Sequence, residues 1–150
     1  MNPTAILAVC LATGVASALA AQQPAAVPPP TVLRVSEAWA RASQPGRPMS
    51  AAYAVIENPG TTPIVLTGVT CDSIPVAQIH ESYEENGMMR MRHVPELVVP
   101  AGGRVELRPG GYHVMLMQLP APLAAGGIVR CDLLAGTRVL ARFEAQVRAP

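Results

Sequence analysis

Lysine is absent from this 150-residue chain, and all eleven basic positions are arginine. The arginines are scattered from Arg34 to Arg148 and the formal net charge is only +1. A nucleic-acid surface needs a basic stripe interleaved with aromatic side chains. Aromatics are as scarce as lysine, at one tryptophan, one phenylalanine and three tyrosines, so no nucleic-acid partner is expected. No stretch of residues 31–148 sustains a 3.6-residue apolar period, which excludes a helical bundle. A glycine-rich phosphate loop is also missing. Ser82 lies two residues from His80, but nothing in the sequence marks it as an activated nucleophile, and the chain is not read as an enzyme. There is no internal repeat, and the length suits one domain with a real core.

The first thirty residues stand apart from the rest. The stretch from Ala5 to Ala21 is uncharged and ends in Ala18-Leu19-Ala20, a small-x-small pattern that a signal peptidase can cut after Ala20. Residues 1–20 are therefore read as a signal peptide, although the n-region lacks lysine and arginine. A retained transmembrane anchor is the alternative. It needs roughly 20 strongly apolar residues, and this stretch is shorter and broken by Thr13, Gly14 and Ser17. Leu7-Ala8-Val9-Cys10 resembles a lipoprotein cleavage site only loosely, because Val9 is poorly placed before the cysteine. Residues 21–31, with the run QQPAAVPPP, read as an extended linker, since consecutive prolines cannot join helix or sheet. The expected location is the periplasm, with the chain soluble after cleavage. Cys71 and Cys131 would remain in an oxidising compartment that permits a disulfide. Sequence leaves open whether they bridge or are simply two small buried side chains.

The folded part, residues 32–149, reads as β structure throughout. Short apolar or alternating runs occupy 32–35, 51–57, 64–69, 76–82, 88–94, 97–99, 105–107, 112–119, 128–134 and 139–147. Turn signals such as Asn58-Pro59-Gly60, Glu85-Asn86-Gly87, Pro109-Gly110-Gly111 and Ala135-Gly136-Thr137 separate them, at the spacing of a sandwich. Residues 38–43 are compatible with a helical turn, a strand or a loop.

All three histidines and five of the seven methionines fall within residues 80–117, and no cysteine does. Imidazole with thioether is a donor set suited to monovalent copper, because soft thioethers select Cu(I) whereas carboxylates favour harder ions. In a strand over 112–119, His113, Met115 and Met117 project from one face, while Val114, Leu116 and Leu119 fall mainly on the other. Met89 and Met91 share a face opposite Met88 and Arg90. A hairpin turn at Glu85-Asn86-Gly87 would bring the strand of His80 beside that of Met91. Joining this pair to His113 and Met115 is a tertiary matter that local reasoning does not reach.

From His80 the chain runs ten residues to Met91, twenty-one to His113 and one to Met115. This spacing resembles the copper signature of the periplasmic PCu(A)C copper chaperones. Ala38-Trp39-Ala40-Arg41, Met89-Arg90-Met91-Arg92, the Pro100-Ala101-Gly102-Gly103 turn and Pro109-Gly110-Gly111-Tyr112-His113 resemble the family too, over residues 32–147. The resemblance implies a single-domain, all-β, cupredoxin-like Greek-key sandwich. It implies one Cu(I) per chain, held by His80, Met91, His113 and Met115. It also implies a monomeric carrier that delivers copper to the copper-site subunit of cytochrome c oxidase, alongside Sco-type thioredoxin-like proteins. Two departures matter. Some members have methionine after the first histidine where this chain has Glu81, a hard group not expected to ligate Cu(I). The chain also carries no His/Met-rich C-terminal extension, so a second copper site is not expected. The site lacks the cysteine of a blue-copper centre, in keeping with carriage rather than electron transfer.

Each residue also admits a blander reading. Methionine commonly fills irregular core gaps, and Met89 and Met117 are read as shielding rather than ligating. His93, outside the spacing pattern, is read as ordinary polar surface, and Trp39 and Tyr112 as structural. Glu84, Glu85 and Glu96 read as a solvated surface that can dock a basic partner. A copper-buffering protein without a dedicated acceptor and a metal-free interaction module are the alternatives to the chaperone.

Overall fold

The computed structural model describes residues 32–149, and no helix forms among them. The strands are β1 (Arg34–Arg41), β2 (Met49–Glu57), β3 (Ile64–Leu66), β4 (Gly68–Cys71), β5 (Val76–Glu85), β6 (Met88–His93), β7 (Leu97–Val99), β8 (Arg104–Leu107), β9 (Tyr112–Met117), β10 (Ile128–Ala135) and β11 (Arg138–Arg148). Alternation explains most of them. In β11 Phe143, Ala145 and Val147 are buried while Glu144, Gln146 and Arg148 face water, as a half-buried pleated strand requires. The expected signal peptide and all of the expected linker, together with Cys10, lie outside the described residues.

One run left open resolves and another divides. Of residues 38–43, read as a helical turn, a strand or a loop, 38–41 form the end of β1 and 42–43 follow it outside any strand. Trp39 is paired on both sides, with Tyr53 of β2 and, in parallel, with Gln146 of β11. A register shift between Ser36 and Trp39, with Glu37 at φ 53°, re-aims the strand, the usual effect of a bulge. The single run 64–69 is two strands. Thr67 marks the switch, its N–H donating to the Leu134 carbonyl and its hydroxyl accepting from Gly136 N–H. Strand β3 before it pairs with β7, and β4 after it pairs with β10.

The main sheet follows the order β4-β10-β11-β1-β2-β9-β5-β6, with β8 pairing the distal half of β2. Only residues 72–75 join β4 at one end of this path to β5 near the other, so the sheet must fold back on itself. Its two halves enclose one core. Val129, Leu133 and Phe143 come from one half and Ile56, Ile79, Val114 and Leu116 from the other. Strands adjacent in space are mostly not adjacent in sequence, the mark of Greek-key rather than meander connectivity. Cys71 and Cys131 stand opposite each other on β4 and β10 and form a disulfide, which settles the pairing that sequence left open.

Candidate metal centre

Two tight turns position the site. Between β5 and β6, Asn86 and Gly87 both adopt positive φ, 54° and 75°, as a two-residue type I′ hairpin demands. Pairing then runs outward from Glu85↔Met88 through Ser82↔Met91 to His80↔His93. Before β9, Pro109 and Gly110 (φ 79°) occupy the corner of a turn closed by Gly111 N–H donating to the Arg108 carbonyl, the residue pattern of a type II turn. Strand β9 then lies against β5 with His113 opposite His80 and Met115 opposite Gln78.

Directly opposed residues share a sheet face, and alternate residues along a strand return to it. The register therefore places His80, Met91, His113 and Met115 on one face, together with His93, Met89, Met117 and Met49. Imidazole and aromatic rings form a row across five strands. Centroid separations are 4.5 Å for Trp39–Tyr53, 6.4 Å for Tyr53–His113, 6.0 Å for His113–His80 and 5.7 Å for His80–His93. The opposite face carries Val114, Leu116 and Ile79 into the core. Strand β9 ends at Met117, and Gln118 at φ 57° turns the chain so that Leu119 also becomes buried.

The four expected ligands differ in exposure. His113 is 4% exposed and Met91 59%, with His80 and Met115 between them. Met91, His113 and Met115 line a half-open cavity of about 450 Å³, with Met49, Tyr53 and Ser82. His80 is not part of its wall but adjoins it through His113. Among the described residues no three His, Cys, Asp or Glu side chains gather into a metal cage. Thioether sulfur is accordingly the donor available to extend the His80–His113 pair.

Hydrogen bonds prepare the imidazoles. His113 Nδ1–H donates to the Gly111 carbonyl at 3.0 Å, which leaves Nε2 with a free lone pair. A carbonyl partner on the far nitrogen is the common means of fixing tautomer and ring orientation in a ligating histidine. The same carbonyl accepts Ser82 N–H at 3.0 Å, so β5 and β9 are tied at this point. His80 Nε2 donates to Gln78 Oε1 at 3.2 Å, leaving its Nδ1 free. Burial holds the His80 imidazole below its usual pKa of 6.5, and the neighbouring His113 and His93 lower it further. His80 therefore stays neutral, the form that ligates metal, to lower pH than a free histidine. Two lone pairs and two thioethers on one face make a donor set that fits a soft monovalent ion.

The structure places His93, exposed as expected of polar surface, directly opposite His80. The signal for this was available: counting outward from the Asn86-Gly87 turn puts residue 93, not 91, opposite His80. Tyr53 and Met49 carried no signal beyond residue type, since β2 reaches the site only through tertiary pairing with β9. Glu81 lies on the opposite face, held by Arg92 through Nε at 2.8 Å and Nη2 at 2.6 Å. Glu85 is paired to Arg90 at 2.6 Å.

Over residues 33–138 the chain matches the profile of the LpqE-like family, described as "Putative lipoprotein LpqE-like". It is 38% identical over 95 residues to "Putative lipoprotein Lxx21020" of Leifsonia xyli subsp. xyli. That match covers 63% of this chain and 56% of the relative, so the chain spans little more than half of this relative's length. The solution structure of CuI-DR1885 from Deinococcus radiodurans is 32% identical, with a TM-score of 0.59, covering 80% of this chain and 78% of that one. The copper-bound PCuAC domain from PmoF2 superposes with a TM-score of 0.65 at 23% identity, covering 79% of this chain and 94% of that domain. At that identity the likeness concerns the fold alone, which is cupredoxin-like.

Proposed function

We propose, from the premise that this chain belongs to the LpqE-like family and is of PCuAC type, that it is an exported carrier of monovalent copper. One Cu(I) is bound per chain through His80, Met91, His113 and Met115, and is handed to the copper-site subunit of cytochrome c oxidase. The observation that carries this reading is the direct opposition of His80 and His113 beside a cavity lined by Met91 and Met115. The copper named in the solved relative at 32% identity supports the choice of metal.

The chemistry follows from the donors. Neutral imidazoles and thioethers bring no charge to the ion and hold it less tightly than a thiolate pair would, so ligands can be exchanged one at a time. Met91 is largely exposed whereas His113 is nearly buried. An incoming acceptor would therefore displace Met91 first and His113 last. The protein's part is to orient both imidazoles, through Gly111 and Gln78, while the thioether side stays open.

Transfer is the test. Cu(I)-loaded protein is mixed anaerobically with the apo copper-site domain of the oxidase, and copper in each is measured after separation. Stoichiometric transfer, with none to an unrelated apo-copper protein of similar affinity, is expected. Equal transfer to both would favour a buffering role without a dedicated acceptor.

The lipoprotein names of the family and of the Leifsonia relative favour a second reading of the N-terminal segment. In it Cys10, rather than Ala20, marks the processing site, and the carrier is tethered to the outer side of a membrane by a lipid on that cysteine.

A further inference from the structure

His93 lies outside the four-residue copper signature, yet its ring centroid is nearer to His80, at 5.7 Å, than that of His113, at 6.0 Å. Both are directly opposite His80 across its two neighbouring strands. A metal–imidazole bond of roughly 2.0 Å puts two rings on one ion about 5 Å apart at a tetrahedral angle and about 6 Å apart when opposed. Both separations fall within that span. The three histidines do not converge as one cage, since no three such donors gather among the described residues. They make two imidazole pairs that share His80.

The two pairs differ in surroundings. His113 is buried against the methionine-lined cavity, whereas His93 is exposed at the edge strand β6. On the outer side water is free to complete a coordination shell. An imidazole pair with water oxygens suits a divalent ion, and Cu(II) stands highest among first-row divalent metals for such donors.

We propose that His80 and His93 form a second, outward-facing position for divalent copper, distinct from the inner imidazole–thioether position and excluded when that position is filled, because His80 serves both. The outer position deepens the carrier reading in that it shares His80, but it stands on the imidazole pair alone. The two positions are alternatives rather than steps: His80 ligates a divalent ion with His93 or a monovalent ion with His113, and neither ion changes oxidation state on binding.

The test adds Cu(II) aerobically to the copper-free protein and reads bound copper by pulsed electron paramagnetic resonance, with Cu(I) affinity measured in parallel under anaerobic conditions. The wild type is expected to bind one Cu(II) with two coupled imidazoles. His93→Ala should weaken Cu(II) binding by more than about tenfold while Cu(I) affinity changes by less than about twofold. His113→Ala should do the reverse, and prior loading with Cu(I) should block Cu(II). Circular dichroism of each variant checks folding, and the exposure of His93 makes His93→Ala structurally benign. Undiminished Cu(II) binding in His93→Ala, or no two-imidazole signal in the wild type, would overturn the proposal. Loss of Cu(I) binding in the wild type with Cu(II) binding intact would instead overturn the monovalent carrier reading and leave this one standing.

Discussion

Gly111 joins the parts of the centre: its carbonyl accepts from His113 Nδ1–H and from Ser82 N–H, while its N–H closes the turn that leads into β9. Residues of the site thus have distinct duties. The imidazoles are oriented by hydrogen bonds and the thioethers only by packing. Replacing Met91 and Met115 together with alanine should leave the fold intact, since neither is a core residue. It should lower Cu(I) affinity by at least about a hundredfold, measured by chelator competition. Acidity acts through His80. The unfolded chain protonates this residue near pH 6.5 and the folded chain only below it, chiefly because of burial. Its folding contribution is therefore fully present above pH 6.5 and is lost as pH falls through the lower folded value. Cu(I) binding should weaken over the same acid range as protons compete for the lone pair. A proton NMR titration of the copper-free protein should place His80 below 6.5, and His113→Ala should raise it only part of the way back, because burial is the larger cause.

The β5–β6 hairpin carries Met91 and His93, and its register hangs on two residues with positive φ. Gly87→Val introduces about 1–2 kcal/mol of backbone strain and disturbs the placement of Met91 and His93. A modest fall in melting temperature with a larger fall in Cu(I) affinity is expected. Gly136→Val provides the control, since Gly136 also has positive φ, 58°, in the β10–β11 hairpin away from the site. It should cost similar stability and leave copper binding unchanged, as calorimetry and chelator competition on both variants would show. Hairpins were the legible elements. Asn86-Gly87 announces a two-residue turn, and the period-2 geometry of a strand is enough to put His113 and Met115 on one face. What stayed hidden was the pairing of β5 with β9 and of β2 with β9, where no turn sets the register. The split of 64–69 was hidden as well, because both halves are apolar and only Thr67's partners distinguish them.

The whole molecule separates its disulfide from the candidate metal face. The disulfide joins β4 to β10 over a sequence separation of 60, while the candidate ligands sit on β5, β6 and β9. Closing a loop of that length is worth about 4 kcal/mol in the chain-entropy account. Cys71→Ser with Cys131→Ser should lose roughly that much in urea unfolding, yet bind Cu(I) normally wherever the variant is folded. Processing is tested by mass spectrometry of the exported protein. An N-terminus at Ala21 supports cleavage after Ala20, and a lipid-modified Cys10 supports the tethered reading. The long His–Met spacings are bridged because β9, β5 and β6 are successive strands of the sheet, whose register puts the four residues on one face. Their convergence on copper is tested most directly by anaerobic Cu(I) titration against a competing chelator, with X-ray absorption at the copper edge. One equivalent bound, with both nitrogen and sulfur scattering and the sulfur lost in the Met91→Ala, Met115→Ala variant, is the predicted result. No binding, or a shell of nitrogen alone, would contradict the account.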